Sequence, residues 1–191
     1  MYIAIEGIDT AGKSTQISAL KKYFPDAVIT KEPGGTTIGK EIREMVLSAK
    51  TKSKRAEFLL FLADRAEHVK EIIEPNLNSM IISDRSAVSG VAYALIQGDI
   101  KIEDLLALND FATNKIYPKK VFLLRLTKEE LEFRLSQKEL DGIELRGSTY
   151  LLQIQDAIIQ ASKLLGLELV IIDATKEIAT ITKEILNNIN T

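Results

Sequence analysis

Ile5-Glu6-Gly7-Ile8-Asp9-Thr10-Ala11-Gly12-Lys13-Ser14-Thr15 is the stretch that decides the fold of this 191-residue chain. Gly7, four intervening residues and Gly12-Lys13-Ser14 match the phosphate-loop pattern. Glycines let successive N–H groups point into one concavity and cradle phosphate oxygens. In that pattern the lysine, Lys13, reaches the outer phosphates and the Ser14 hydroxyl ligates Mg²⁺. The flanks agree. Tyr2-Ile3-Ala4-Ile5 is a short apolar strand, and Ile17, Leu20 and Phe24 recur afterwards at helical spacing. A helix starting there directs its positive end at the same anion.

The length fits a single domain over residues 1–191. Hydrophobic residues at 46% fill a core, and charged residues at 27% give an ordinary polar surface. A net charge of −2 argues against a nucleic-acid-coating or membrane-surface protein. With no cysteine, disulfides and thiolate metal sites are excluded, and one histidine, His68, excludes a histidine-rich metal centre. No signal peptide and no apolar run of membrane-spanning length is visible, so a cytoplasmic location is expected.

Further along, apolar strands alternate with helical segments. Strands are expected at Ala27–Thr30, Met80–Ser83, Val121–Leu124 and Leu169–Ile172. Helices are expected after Thr36 or Thr37 (Ile38, Ile42, Met45, Val46), over Ser53–Ile73, Ala87–Ile96, Ile102–Thr113, Lys128–Lys138 and Tyr150–Leu164. The last helix carries Ile178, Ile181, Ile185 and Ile189 on one stripe. This pattern predicts an α/β, three-layer P-loop fold: a parallel sheet of about five strands with helices on both faces. Ligands in such sheets collect beyond the C-terminal strand ends. The phosphate loop, Thr30–Thr36, Asp84-Arg85 and Asp173-Ala174 all follow strands and should share one crevice.

Phosphoryl transfer needs positioning and cations more than covalent groups. Arg85, at a strand end, and Arg43, after the Pro-Gly-Gly turn, supply candidate cations, although taken alone each is better read as half of a surface salt bridge. Asp84 is a candidate Mg²⁺ carboxylate beside Ser14, or else a helix N-cap. Phe61, Arg65 and His68 share one helical face. That face either stacks on and hydrogen-bonds a nucleobase, or places Phe61 in the core and leaves the two polar residues solvated. Arg134, Lys138 and Arg146 form a basic, turn-broken segment, roughly 134–148, suited to a lid over a polyphosphate. The plainer reading is an i,i+4 pairing of Glu130 with Arg134.

Taken together these residues resemble thymidylate kinase in its bacterial form. The motifs are Glu6-Gly7-Ile8-Asp9, Glu32-Pro33-Gly34-Gly35-Thr36, Lys40-Glu41-Ile42-Arg43, Leu60-Phe61 through Arg65 to His68-Val69, Asp84-Arg85 with Ser89 and Ala92-Tyr93, and Asp141-Gly142-Ile143-Glu144. The resemblance implies phosphorylation of dTMP to dTDP with ATP and Mg²⁺, by a homodimer formed through helices beside the long central one; Leu59, Leu62 and Ala66 would serve core or interface equally. It implies an ATP cradle of Gly7, Ile8, Asp9, Thr10, Ala11, Gly12, Lys13, Ser14 and Thr15, and metal contacts from Ser14, Asp84 and Asp9. Asp9, Glu32, Pro33, Arg43, Phe61, Arg65, Arg85, Ser89, Gly90 and Tyr93 are the implied dTMP site. Within it, Arg43 and Arg85 hold the phosphate, Phe61 stacks on thymine and Arg65 reads its carbonyl edge. Lys13, Arg85, Arg134 and Arg146 are the implied catalytic cations, because the loop itself carries no arginine and a lid supplies one. Ser86, Gly90, Ala94 and Gly142 depart from the family's usual residues, which leaves fewer side chains to read the base. Another nucleoside monophosphate kinase or a deoxynucleoside kinase is the alternative enzyme. A nucleotide-dependent switch fits less well, since Asn114-Lys115-Ile116-Tyr117 lacks the guanine-reading Asn-Lys-x-Asp pattern.

Overall fold

The computed structural model describes residues 1–48, 51–137 and 146–189. Five parallel strands form one sheet: β1 (Tyr2–Glu6), β2 (Val28–Lys31), β3 (Ile81–Asp84), β4 (Lys120–Arg125) and β5 (Glu168–Asp173), in the order β2-β3-β1-β4-β5. Each boundary lies within a residue or two of the apolar run that announces it. β1 and β4 are central, and Ile3, Ile5, Phe122 and Leu123 are wholly buried because helices cover both faces. The helices are α1 (Lys13–Lys21), α2 (Thr37–Leu47), α3 (Lys54–His68), α4 (Ala87–Gln97), α5 (Ile102–Thr113), α6 (Lys128–Ser136), α7 (Ser148–Leu164) and α8 (Ile178–Ile189). α1 packs against α8, while α4 packs against α7, α5 and α3.

Order and register set the site. After β1 the chain builds two strands on one side of it and then two on the other. The C-terminal end of β1 is therefore the switch point where ligands bind in such sheets. Backbone bonds tie the neighbouring ends together: Arg85 N–H donates to the Ile5 carbonyl at 3.0 Å, and Glu32 N–H to the Asp84 carbonyl at 3.0 Å.

Hydroxyl caps start several helices. Thr36 accepts from Gly39 N–H, Ser53 from Ala56, Ser86 from Val88 and Thr127 from Glu130. Ser86, not Asp84, is thus the cap of α4. The central helix departs from the expected Ser53–Ile73 span. Regular α-helix ends at His68, a π turn covers Val69–Ile73, and a 3₁₀ turn covers Glu74–Asn76 around Pro75. Val69 and Ile73, at the two ends of the π turn, both pack inward with Tyr2 and Ile81. α6 is described to Ser136. Lys138 and Asp141-Gly142-Ile143-Glu144 lie outside the described residues.

Candidate phosphoryl-transfer site

At the end of β1 the backbone turns back under β4. A Cβ at Gly7 would stand 2.9 Å from the Leu124 carbonyl oxygen, and the φ of 148° there is one that side chains resist. The Ile8 carbonyl accepts Ala11 N–H at 3.2 Å and Lys13 Nζ at 3.1 Å, which closes the loop. Gly12, at φ 93°, precedes α1 and its free N–H groups. The loop forms one wall of a cleft of about 520 Å³ lined by Asp9, Thr10, Gly12–Thr15, Lys31, Glu32, Arg43, Asp84 and Arg85. Lys13 is buried. That burial, with the like charge of Arg85, pulls its ammonium down to about 8. Phosphate oxygens in the cleft would restore its charge.

On the acceptor side, Arg85 sits at φ 69° just past β3. Its Nη2 donates to Asp9 Oδ1 at 2.7 Å and its Nη1 to Ser89 Oγ at 3.1 Å. Ser89 Oγ in turn donates to Glu6 Oε2 at 2.5 Å, while Glu6 Oε1 accepts Ser86 N–H at 2.8 Å and Ser86 Oγ at 2.9 Å. Glu6 is wholly buried at the last position of β1. Burial raises its pKa against the pull of Arg85 and the two serines. The strand end therefore fixes the start of α4, and α4 fixes Arg85. Tyr93, one turn beyond Ser89, is half-buried, and burial pushes its hydroxyl pKa up against the pull of Arg85.

α3 supports the cleft from behind, through Glu32 and the turn after β2. Arg65 is wholly enclosed: Nε and Nη2 bond Glu32 Oε1 at 2.6 and 2.5 Å, and Nη1 bonds Asn109 Oδ1 at 2.6 Å. Burial, the largest single influence, would raise the Glu32 carboxyl, but Arg65 and His68 together hold its pKa below the ordinary value. His68 Nε2 lies 2.7 Å from Thr30 Oγ1, and Asp64 Oδ1 accepts Gly34 N–H at 2.9 Å. The polar face of α3 thus grips the turn after β2, Glu32 through Gly35, whose Pro33 carbonyl accepts Arg43 Nη1 at 3.1 Å. The expectation that Arg65 and His68 stand solvated with Phe61 in the core is overturned: both polar residues are buried and Phe61 is half-buried. Their partners are on β2, the turn after it and α5, far away in sequence. A surface salt bridge likewise describes neither Arg85, paired inside the cleft, nor Arg43, bonded to a carbonyl.

The thymidylate kinase family model matches residues 5–185. A thymidylate kinase of Sulfurimonas denitrificans is 74% identical, with all of both chains covered. One of Aliarcobacter butzleri is 53% identical over 100% of this chain and 99% of that protein. The crystal structure of thymidylate kinase from Ehrlichia chaffeensis superposes with a TM-score of 0.78 at 25% identity, covering 100% of this chain and 98% of the other. The chain belongs to the thymidylate kinase family. It is accordingly a nucleoside monophosphate kinase, a phosphotransferase with ATP as donor.

Other residues that the thymidylate kinase resemblance singles out are placed as follows. Ser14 is exposed at the start of α1, and Asp84 ends β3 across the cleft. Arg134 lies in the last turn of α6. Its Nε pairs with Glu130 at 2.6 Å, Nη1 donates to the Thr10 carbonyl at 2.9 Å and Nη2 to the Ala174 carbonyl at 2.8 Å. It bridges the phosphate loop to the turn after β5. Arg146 is exposed, donating to the Tyr150 hydroxyl at 2.9 Å with its guanidinium 5.1 Å from that ring's centre. Gly90 is where α4 meets Arg65: a Cβ there would overlap Nη2 and stand 3.2 Å from Cζ and Nη1. The glycine makes room for the arginine.

The motifs include Glu6 and single out Ser86 but not their role as the support of Arg85, and they pass over Asp64, the anchor of Gly34, and Asn109, the second partner of Arg65. Asn109 did carry a signal, since it is a polar residue on the stripe of α5 that otherwise buries Leu105 and Ala112.

Proposed function

We propose that this chain transfers the γ-phosphoryl group of Mg·ATP to dTMP, giving dTDP and ADP, in the service of dTTP synthesis. The observation that carries the reading is the meeting, in one cleft, of the phosphate loop with Arg85 and Arg43, beside an enclosed Arg65. Lys13 and the loop N–H groups hold the donor phosphates. Arg85 and Arg43 offset the acceptor phosphate, so two polyanions can approach in line. Asp9, paired with Arg85, stands between the two sites. Arg65, enclosed by Glu32 and Asn109, would reach the base only through the N–H groups those bonds leave over, with Phe61 and Tyr93 as the apolar walls.

Of the hydroxyls and carboxylates lining the cleft, Ser14, Asp84 and Asp9 are the ones the reading gives to the metal, since Glu32 is taken up by Arg65. That sparse set suits Mg²⁺, which takes most of its ligands from water and phosphates. The ion supplies charge neutralisation at the phosphates. Arg146, exposed beside Tyr150, is the lid cation of this reading, and Arg134 holds the phosphate loop to the turn after β5.

The working form is a homodimer in the cytoplasm, acting on small molecules without nucleic acid. Support for the dimer is the exposure of Leu59 and Ala66 on α3 and of Phe111 on the adjoining α5; Leu62 belongs to the core. Among the described residues no helix is long and apolar enough to cross a membrane. Chromatography of a reaction with Mg·ATP and dTMP tests the function. One dTDP per ADP is expected, and ADP without dTDP, or no turnover, contradicts it.

A further inference from the structure

Thr10 carries two unfavourable features at once. Its φ of 68° lies in the left-handed region, which β-branched residues avoid. Its Oγ1 is buried with no hydrogen-bond partner among the described residues, so it has lost water's bonds and gained none. A glycine at this position would remove both costs. The residue lines the cleft between Asp9 and Gly12-Lys13, and its carbonyl is held by Arg134 Nη1 at 2.9 Å. The peptide is therefore fixed, and rotation about the Cα–Cβ bond is the freedom left to the side chain.

We propose that Thr10 Oγ1 donates a hydrogen bond to the phosphoryl group being transferred, after a turn about Cα–Cβ that brings the hydroxyl to the cleft. The inference rests on the ATP-site reading of the loop. Turning the hydroxyl breaks no existing hydrogen bond, so the bond gained to a charged oxygen counts in full. The alcohol keeps its proton and forms no covalent bond; it stabilises charge on the phosphoryl oxygens, where a donor is most effective in a water-poor site. The strained backbone is then the means of holding a side chain this close to the phosphates, which a glycine loop would leave bare.

Three variants test this: Thr10→Val keeps the branched shape without the hydroxyl, Thr10→Ser keeps the hydroxyl without the branch, and Thr10→Gly relaxes the backbone. Thr10→Val should lower kcat by about 10- to 100-fold with KM for dTMP unchanged and, the unpartnered hydroxyl being gone, with a thermal midpoint no lower than the parent's. Thr10→Ser should stay near the parent rate. Thr10→Gly should melt higher and still turn over slowly. A Thr10→Val enzyme as fast as the parent, equal rates for the valine and serine variants, or full activity in Thr10→Gly would each overturn the proposal. Lys13→Ala separates the two levels. If it stays active, the donor-site reading itself fails; if it is dead while Thr10→Val is normal, only the role of Thr10 fails.

Discussion

Gly90→Ala is a one-methyl change whose consequences can be worked from the structure. The new Cβ would overlap Arg65 Nη2 and sit 3.2 Å from Cζ and Nη1. Two responses compete. Moving the guanidinium breaks its bonds to Glu32 and Asn109, and disrupting a buried ion pair costs about 3–5 kcal/mol. Shifting α4 outward costs about 1–3 kcal/mol of overpacking strain. The cheaper response wins, and α4 carries Ser89 and Tyr93 away from Arg65 and Arg85. Alanine also gains about 1 kcal/mol of helix propensity over glycine inside α4. The net loss of stability is thus roughly 0–2 kcal/mol, or a thermal midpoint at most about 8 °C lower. Binding suffers more. Losing alignment of one charge-assisted hydrogen bond to dTMP is worth about 1.5–3 kcal/mol, a rise in KM of about 10- to 100-fold. Steady-state titration of each substrate in turn reads this directly: KM for dTMP rises and KM for ATP does not. An unchanged KM for dTMP, or equal rises for both substrates, would refute the packing argument.

Other outcomes follow from the same contacts. Because burial and Arg85 hold Lys13 at about 8 in the empty site, kcat/KM for ATP should fall above that pH while kcat, measured with phosphate bound, stays level; a kcat/KM that stays flat through the alkaline range contradicts the placement of Lys13. Glu6→Gln keeps one acceptor oxygen for Ser86 but reverses the bond to Ser89, so KM for dTMP should rise about 3- to 10-fold while the protein stays folded by circular dichroism; unaltered kinetics would remove Glu6 from the support of Arg85. Burial raises Asp64 to about 6, among Glu32, His68 and Arg65, so the native state keeps this proton at pH values where the unfolded chain has lost it. Its contribution therefore favours folding below about pH 4 and is lost as pH rises through 6, by an amount of order 3 kcal/mol. Asp64→Asn keeps an acceptor for Gly34 N–H and should raise the thermal midpoint at pH 8 but not at pH 4; an equal change at both would show that no buried charge is involved.

The phosphate loop and the strands were legible because their signals are local. Glycine spacing, a strand before and a helical stripe after fix Gly7 to Ser14 without knowledge of the rest. The crevice was legible at one remove, since any residue closing a parallel strand must lie at the same edge of the sheet. The support network was not. Arg65 and His68 look the same on a helical wheel whether solvated or buried, and only the fold brings Glu32, Thr30 and Asn109 to them. Gly90 reads from sequence as a missing base contact, yet its physical role is the space it leaves for a guanidinium. The π turn at Val69–Ile73 was likewise hidden, because apolar spacing alone does not separate a regular last turn from a widened one.

The central claim is that this cleft moves phosphate from ATP to a thymine nucleotide. The most direct test is a coupled ADP-release assay with Mg·ATP against dTMP, dUMP, UMP, dCMP, CMP, GMP, AMP and thymidine. The account predicts the highest kcat/KM with dTMP, and none of that release from Lys13→Ala. Comparable release with several monophosphates would keep the chemistry and contradict the base site built on Phe61 and Arg65. Release with thymidine alone, or with nothing in the panel, would contradict the account itself.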